Sequence, residues 1–281
     1  MGRKIRIAAS MLAIAGIVAL GGCRLLPDGA DPVRTLPPAG ADFDYQLGGA
    51  YDPPSGVEVV ARDSTEDPAS GVYNICYVNG FQTQPGEGER WLADYPALVL
   101  REVDGEPVAD PGWPDEYLLD TSTVGKRAAI AHRFASVLSS CDERGFDAVE
   151  IDNLDSWSRS NGALTLDDNI ALAALFADRS HALGLAIAQK NGAGESQRLR
   201  DEVGFDFAVV EQCMRFSECD GYFDAYDGLV LDIEYPDESA DGDAAEAFRA
   251  ACAEPGRPES MILRDLGLAP AGDPAYVRET C

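Results

Sequence analysis

Short apolar, β-rich segments alternate with helical patterns along most of this chain, and this alternation limits the folds available to it. Strands separated by helices pair in parallel, with each helix crossing over the sheet. About eight strands within ~240 residues are what a single-domain (β/α)8 barrel, or TIM barrel, requires, so the pattern predicts this α/β fold. An open, doubly wound sheet is the alternative, but no Gly-rich phosphate loop follows an early strand. The segments are, in order, Phe43–Gly49, Val57–Arg62, Tyr73–Asn79, Ala97–Glu102, Ala148–Asn153, Leu185–Asn191, Phe207–Cys213, Leu229–Tyr235 and Met261–Leu263.

Two of the connecting segments carry a clear helical pattern. The first is Val124–Glu143, and Gly145 fits its end. The second is Asp167–Leu183, where Thr165 begins a capping box with the acid three residues later, and Gly184 follows. The apolar faces predicted for the two helices are Ile130, Phe134, Val137, Leu138 and Cys141, and then Leu172, Leu175, Phe176 and Leu183.

The first residues predict export and a lipid anchor. Three basic residues precede the apolar run Ile7–Leu20, which is of signal-peptide length and too short for a comfortable membrane span. The run ends in Leu-Gly-Gly-Cys, which resembles a bacterial lipobox. We therefore expect residues 1–22 to be a lipoprotein signal peptide and Cys23 to be lipidated on the extracellular face of the membrane, with a single-pass anchor as the alternative. Residues 23–41, rich in Pro, Gly and Asp, predict a flexible tether, and residues 42–281 the barrel domain.

The cysteines are consistent with an oxidising compartment. Seven are present, and six remain when Cys23 is set aside, which favours three disulfides among fifteen possible connectivities. Because no CxxC pair exists and His132 and His181 are the only histidines, we expect neither a metal nor a cofactor. Proximity along the chain favours Cys76–Cys141, Cys213–Cys219 and Cys252–Cys281, and the last pair would staple a C-terminal tail onto the barrel.

The charge of the chain restricts its partners. The formal net charge is −27, and removing residues 1–22, which contain three basic and no acidic residues, leaves −30. Nucleic acid is not expected as a partner, since its phosphates need a cationic surface. The negative field suits a cationic polymer, although solubility outside the cell explains it equally well. We expect the protein to be a monomer.

Acidic side chains cluster at the end of the segment Ala148–Asn153. In a barrel, catalytic groups lie at the C-terminal ends of the strands. Side chains alternate across a strand, so Glu150 and Asp152 share one face and two aliphatic residues the other. The aliphatic face is expected to pack on the helices, which points both acids into the barrel. Two inward carboxylates are costly to bury without partners or a function.

The segment Phe207–Cys213 supplies a second acid. Glu211 continues the face of Phe207 and Val209 and closes an apolar run. Burial at such a position is expected to raise the pKa of Glu211, which suits a general acid near neutral pH. Lys190 closes another strand segment and is expected to bind a sugar hydroxyl or to keep a carboxylate ionised.

Other catalytic chemistries lack the residues that they need. A Ser or Cys nucleophile requires a partner histidine, whereas His132 and His181 fall within helical patterns and the cysteines are expected to be oxidised. No Walker loop or dinucleotide fingerprint is present, and the acids around Asp155 do not match an EF-hand. Paired-carboxylate chemistry, the mode of most glycosidases, remains.

Several motifs together resemble glycoside hydrolase family 114, the endo-α-1,4-polygalactosaminidases. The resemblance covers roughly Phe43 to Tyr235 and implies a TIM barrel that cleaves α-1,4-linked galactosamine polymers, so that the expected partner is a polysaccharide of cationic amino sugars. It also implies a carboxylate pair at the ends of the fourth and sixth barrel strands, which match Asp152 and Glu211. One departure is Gly80-Phe81-Gln82, where family members often carry a Gly-Glu pair. The motifs are Tyr45–Leu47, Val57–Asp63, Tyr77–Gly80, Trp113–Asp120, Gly145–Asp155, Lys190-Asn191, Glu211–Cys213 with Cys219, and Ile233–Tyr235.

The predicted reaction uses Asp152 as the nucleophile or stabilising charge, and Glu211 as general acid and then base. Asp155, Asp232 and Glu234 are expected to bind the ammonium groups of galactosamine. Two alternatives stay open: a lipid-anchored protein that binds amino sugars or oligosaccharides without cleaving them, and a barrel hydrolase of another glycan. The full predicted substrate-binding set is Gln46, Asp63, Tyr77, Glu150, Asn153, Asp155, Lys190, Asn191, Asp232, Glu234 and Tyr235.

Overall fold

Eight parallel strands in consecutive order form the centre of the fold, in a computed structural model that describes residues 32–236 and 244–281. Each of these strands pairs in parallel with the next one along the chain, and a short ninth strand pairs antiparallel with the eighth. The predicted α/β barrel is confirmed. The strands are β1 Phe43–Gln46, β2 Val59–Asp63, β3 Tyr73–Asn79, β4 Ala148–Asp152, β5 Ala186–Lys190, β6 Phe207–Glu211, β7 Val230–Glu234, β8 Ser260–Arg264 and β9 Arg278–Thr280.

Helices on the outside of the sheet connect the strands. The two predicted helices are confirmed, with the capping box of Thr165 and Asp168 and with left-handed residues at the ends, Gly145 (φ 91°) and Gly184 (φ 85°). One residue of the predicted apolar faces, Leu175, is 38% exposed, which corrects that detail. The helices are α1 Gly88–Asp94, α2 Val124–Arg144, α3 Leu166–Leu183, α4 Ser196–Val203, α5 Cys213–Phe216, α6 Cys219–Tyr226 and α7 Ala244–Ala251, with 3-10 turns at Leu154–Arg159 and Ala193–Glu195.

The segment Ala97–Glu102 is not a barrel strand, which corrects one prediction. It lies in the long excursion between β3 and α2, where Val99 forms an isolated antiparallel bridge with Leu119. Its apolar side chains are buried within that excursion, where Leu100 packs with Leu118. The sequence pattern therefore predicted a buried extended segment correctly, but this segment pairs within the excursion and not within the barrel sheet. Strand β9 was missed because its sequence, Arg-Glu-Thr, has no apolar residue.

Alternation along the strands produces two packed layers. One layer fills the barrel and contains Ala148, Phe207 and Val209, together with aliphatic residues of the other strands. The other layer lies between the sheet and the helices and contains Val149 and Ile151. The predicted orientation of β4 is thus confirmed, with its aliphatic pair outside and its acids inside.

Arginine side chains join the two ends of the parallel sheet. In the described residues no backbone ladder connects β1 to β8. Instead Arg264, which is fully buried, donates to the carbonyl of Tyr45 and lies 3.2 Å from an Asp44 oxygen. Arg278 of β9 lies 2.6 Å from Asp42 in the same way. The pair of Arg264 and Asp44 is fully buried and therefore costly to break singly, so it fixes the closure of the barrel.

The three predicted disulfides are present. Cys76–Cys141 links β3 to α2, and Cys213–Cys219 closes the loop between α5 and α6. Cys252–Cys281 ties the end of α7 to the end of the chain, as expected for a stapled C-terminal tail.

The described chain begins at the N-terminal ends of the strands. Residues 32–41, predicted to be part of a flexible tether, lie against the barrel: Arg34 pairs with Asp206 (3.5 Å), and the Tyr73 hydroxyl donates to the Thr35 carbonyl (2.8 Å). Asp206 directly precedes β6, and Tyr73 begins β3. The predicted signal peptide, the lipidation site Cys23 and the rest of the tether lie outside the described residues. Among the helices that the structure describes, none is long and apolar enough to cross a membrane.

Candidate active site

Three charged residues occupy the last positions of three consecutive strands. Asp152 ends β4, Lys190 ends β5 and Glu211 ends β6. The residue after each has a left-handed backbone conformation: Asn153 (φ 64°), Asn191 (φ 52°) and Gln212 (φ 60°). Asparagine tolerates this conformation better than most residues, and each turn leads the chain away from the mouth directly after the charged side chain. The three charged groups therefore converge at the C-terminal mouth of the barrel.

Lys190 lies at the centre of this cluster. Its Nζ is 3.0 Å from Glu211 Oε2, 3.5 Å from Asp152 Oδ2 and 4.0 Å from Glu150 Oε1. Only 4% of the side chain is exposed. Burial by itself lowers the pKa of Lys190, but the three surrounding carboxylates outweigh that effect and raise the pKa well above its ordinary value. Lys190 is therefore a permanent cation that holds the carboxylates together.

Glu211 is held from three sides. Its Oε2 also accepts from Asn191 Nδ2 (2.9 Å), and its Oε1 accepts from the Tyr235 hydroxyl (2.7 Å). Burial raises the pKa of Glu211, but the Lys190 charge and the bonds from Tyr235 and Asn191 outweigh it and lower the pKa to about 2. The expectation of a raised pKa is wrong for this state of the protein, because it considered burial without the cation.

Asp152 is positioned by two hydrogen bonds. The Tyr77 hydroxyl donates to Oδ2 (2.6 Å), and the backbone N–H of Asn153 donates to Oδ1 (2.7 Å). The Asn153 side chain in turn donates to Asn79 Oδ1 (2.9 Å), which fixes the turn after the strand. Asp152 is 17% exposed and Glu211 29% exposed, so both open towards the mouth.

The distances to Lys190 limit the separation of the two carboxylates. Asp152 Oδ2 and Glu211 Oε2 cannot be further apart than the sum of their distances to Nζ, which is 6.5 Å. Retaining glycosidases hold their two carboxyl groups about 5–5.5 Å apart, and inverting ones about 6.5–9.5 Å apart. The pair is thus close enough to act on the two sides of one glycosidic bond.

Glu150 lies below this pair, one step deeper in the barrel. It is fully buried, and its Oε1 accepts from the Tyr45 hydroxyl (2.6 Å), while Oε2 has no hydrogen-bond partner in the described part of the chain. Burial raises the pKa of Glu150 to about 8, and the neighbouring carboxylates of Asp152 and Glu211 add to the rise against the Lys190 charge. At neutral pH Glu150 is therefore a neutral acid beside the ionised Glu211.

Three predicted substrate-binding residues do not reach the carboxylate pair. Asp232 is fully buried on the outer face of β7, where its Oδ1 accepts from the Cys213 backbone (3.2 Å), and Glu234 accepts from the Met214 backbone (2.9 Å). Gln46 faces outwards from β1 and accepts from Arg62 Nε (2.9 Å). These side chains hold the barrel and α5 in place. Asp232 and Glu234 were assigned to the site because alternation defines two faces of a strand without saying which one is inside, whereas Gln46 was taken from the motif Tyr45–Leu47.

The other predicted residues lie in or around the cluster. Asp155 is on the rim, 2.6 Å from Arg159, and Asp63 ends β2, where it accepts from the Thr65 backbone (2.8 Å). The residues that the structure brings directly to the pair or to Lys190 are Tyr77, Glu150, Asn153, Asn191 and Tyr235.

The site also contains residues that the sequence did not single out. Tyr45 contacts Glu150, and Asn79 supports Asn153. Arg159 donates to Asn153 Oδ1 (2.9 Å) and pairs with Asp110 (2.6 Å), which ties the turn after β4 to the excursion after β3. Alternation indicates Tyr45 and Asn79, since both share a face with other inward residues. Nothing in the local sequence indicates Arg159.

Comparison with known proteins identifies the family of this chain. The sequence profile of glycoside-hydrolase family GH114 matches residues 26–281. The structure is similar to Ega3 of Aspergillus fumigatus, solved as a complex with galactosamine, with a TM-score of 0.69 and 23% identity over 90% of this chain and 100% of that one. It is also similar to the glycoside hydrolase domain of PelA from Pseudomonas aeruginosa, with a TM-score of 0.52 and 18% identity over 84% and 96% of the two chains. No curated protein sequence matches the chain.

The two structural similarities agree with the observed barrel, and the profile covers nearly all of the chain, including every strand. The family that the sequence motifs resembled is therefore confirmed. The chain belongs to glycoside-hydrolase family GH114.

Proposed function

We propose that this glycoside hydrolase cleaves α-1,4-linked galactosamine-type polymers with Asp152 and Glu211 as its carboxylate pair. The observation that carries the proposal is the placement of both carboxylates within hydrogen-bonding or ion-pairing distance of one buried lysine at the mouth of the barrel. The galactosamine bound to the similar Ega3 supports the substrate class, as does the charge of −27, which attracts a cationic polymer.

In the proposed reaction, an Asp152 oxygen bonds to the anomeric carbon while the bond from that carbon to the leaving oxygen breaks. Glu211 gives its proton to the leaving oxygen. In the second step Glu211, now ionised, takes a proton from water, whose oxygen attacks the anomeric carbon and releases Asp152. Two displacements at the same carbon retain its α configuration.

Because the pKa of Glu211 is low in the free protein, substrate binding must raise it before the first step. In the free protein Glu211 is ionised, as the second step requires of a general base. The first step requires it to be protonated. A sugar over the mouth excludes water from the exposed 29% of this side chain, and that further desolvation raises the pKa of Glu211.

The carboxylate pair is tested by removing each charge separately. Asp152→Asn and Glu211→Gln are each expected to lower turnover of partly deacetylated galactosaminoglycan by at least ~100-fold, because each removes one half of the two-step mechanism. Chain shortening is measured by chromatography, and folding by circular dichroism. Asp227→Asn and Glu202→Gln, which change exposed acids, serve as matched controls.

Near-normal turnover in either active-site variant would overturn the assignment. Binding of the polymer by the wild-type protein without any shortening would instead support a binding protein. Cleavage of a neutral glycan but not of the cationic polymer would identify a hydrolase of another glycan.

The protonation of Glu150 predicts a pH dependence of stability. Its pKa of about 8 lies above the ordinary glutamate value, so the folded state keeps a proton that the unfolded chain releases above about pH 4.5. The free energy of unfolding should therefore fall between about pH 5 and 8. Glu150→Gln, which is neutral throughout, is expected to remove a decline of a few kcal/mol, measured by urea unfolding at both pH values. Parallel pH profiles for the variant and the wild type would contradict this assignment.

We also propose that the protein is lipidated at Cys23 and held on the extracellular face of the membrane. The basic start, the apolar run and the lipobox-like residues support this location. Eight residues lie between Cys23 and Pro32, and the nine Cα–Cα steps that join the two span at most ~30 Å. Because residues 32–41 lie along the N-terminal ends of the strands, this location would turn the barrel mouth away from the membrane and towards polymer outside the cell.

The anchor is tested at Cys23 itself. The full chain expressed in bacteria is expected to fractionate with membranes and to give a mature N-terminus that begins at a diacylglyceryl-modified Cys23 in mass spectrometry. Cys23→Ser should lose both properties while keeping activity. An unmodified and uncleaved N-terminus in the wild-type protein would refute the proposal.

A further inference from the structure

A groove with a volume of about 600 Å³ lies beside the catalytic mouth. We call it the lateral groove and define it by its lining. Its floor is formed by Val78, Trp91, Phe134 and Val137, and its rim by residues 63–66, Glu87 and Arg133. The volume falls within the range of about 300–1,000 Å³ that is usual for small-molecule sites.

The groove follows from a short connection in the barrel. Strands β2 and β3 are joined by residues 64–72 without a helix, so part of the outer surface beside α1 and α2 stays open. The wall is held in position by Arg144 at the end of α2, which donates to the carbonyls of Ser64 and Glu66 (2.6 Å for Glu66). Thr65 is bound to Asp63 through its backbone (2.8 Å) and its hydroxyl (2.7 Å). The groove is therefore a preformed depression between fixed walls.

The inner end of the groove adjoins the catalytic pair. Asp63, which lines it, is in register with Tyr77 on the neighbouring strand, and the Tyr77 hydroxyl binds Asp152 (2.6 Å). Leu47 and Gly49, which follow β1, also line the groove. A polymer whose cleaved bond lies at Asp152 thus meets the groove two strands away, with β3 between them.

The lining has the chemistry of an amino-sugar site. Its apolar floor suits the C–H face of a pyranose ring. Three carboxylates on the rim, Asp63, Glu66 and Glu87, complement ammonium groups. Arg133 lies over the Tyr95 ring (5.3 Å), and its buried Nε has no hydrogen-bond partner in the described part of the chain. The terminal N–H groups of the same guanidinium are the donors that an oxygen of a bound sugar, such as an N-acyl carbonyl, would meet on the groove lining.

We propose that the lateral groove binds further sugar units of the same amino-sugar polymer, beyond those at the cleaved bond. The carboxylates of Glu66 and Glu87 hold ammonium groups, and Arg133 holds a carbonyl or hydroxyl oxygen. This inference rests on the proposed function and deepens it, because a site for remote units makes long chains better substrates than short ones.

The test compares substrates of two lengths. The double variant Glu66→Gln/Glu87→Gln is expected to raise KM for the long polymer by about 3- to 10-fold with kcat unchanged, because it removes two partly exposed charge contacts. Both constants for a trimer should stay unchanged. Glu202→Gln/Glu254→Gln removes two exposed acids outside the groove and should leave all constants unchanged. Arg133→Met should act like the groove double variant.

An unchanged KM for the long polymer would overturn the inference, as would an equal effect on both substrate lengths, which indicates a general structural role.

A second measurement separates the groove from the proposed function. Calorimetry measures the binding of a long galactosamine oligomer to the Asp152→Asn protein. This binding should weaken when Glu66→Gln and Glu87→Gln are introduced into the same chain. If the wild type cleaved no galactosamine polymer, the proposed function would fail, while this binding experiment would still decide for or against the groove.

Discussion

The burial of Lys190 among three carboxylates is the constraint on which the site depends. An isolated ammonium at this depth would be strongly unfavourable, and so would carboxylates packed this closely without it. Together they form one unit of opposite charges, in which the proton held by Glu150 limits the negative charge that surrounds the lysine. The same cation keeps Glu211 ionised and brings it close to Asp152. The Lys190 charge therefore sets both the position and the ionised state of Glu211.

The barrel supplies the framework for this unit. Consecutive parallel strands place their last residues side by side, and the left-handed residues after them direct the chain away, which leaves the charged side chains facing the mouth. Buried arginines such as Arg264 hold the two ends of the sheet together where no backbone ladder does. The short connection between β2 and β3 leaves the lateral groove beside the site. The closure of the barrel, the charged cluster at its mouth and the lateral groove thus all follow from the order and connections of the strands.

Much of this could be predicted from local patterns, and the errors have one physical origin. Strands β4 and β7 both alternate acids with aliphatic residues, yet the acids of β4 face inwards and those of β7 face outwards. In β7 the aliphatic residues Leu231 and Ile233 fill the barrel, whereas in β4 that face carries Ala148 and then Glu150. Periodicity defines faces, but tertiary packing decides which face is buried. The pKa of Glu211 was misjudged for a related reason, since its cation comes from a neighbouring strand.

The central claim is that Asp152 attacks the anomeric carbon directly while Glu211 acts on the leaving oxygen from the other side of the same bond. The most direct test is to follow the hydrolysis of a soluble α-1,4-galactosamine oligomer by proton NMR in the first minutes, before mutarotation. The account predicts that the newly formed reducing end appears first as the α-anomer. If the β-anomer appears first, water attacks the anomeric carbon directly and Asp152 is not the nucleophile.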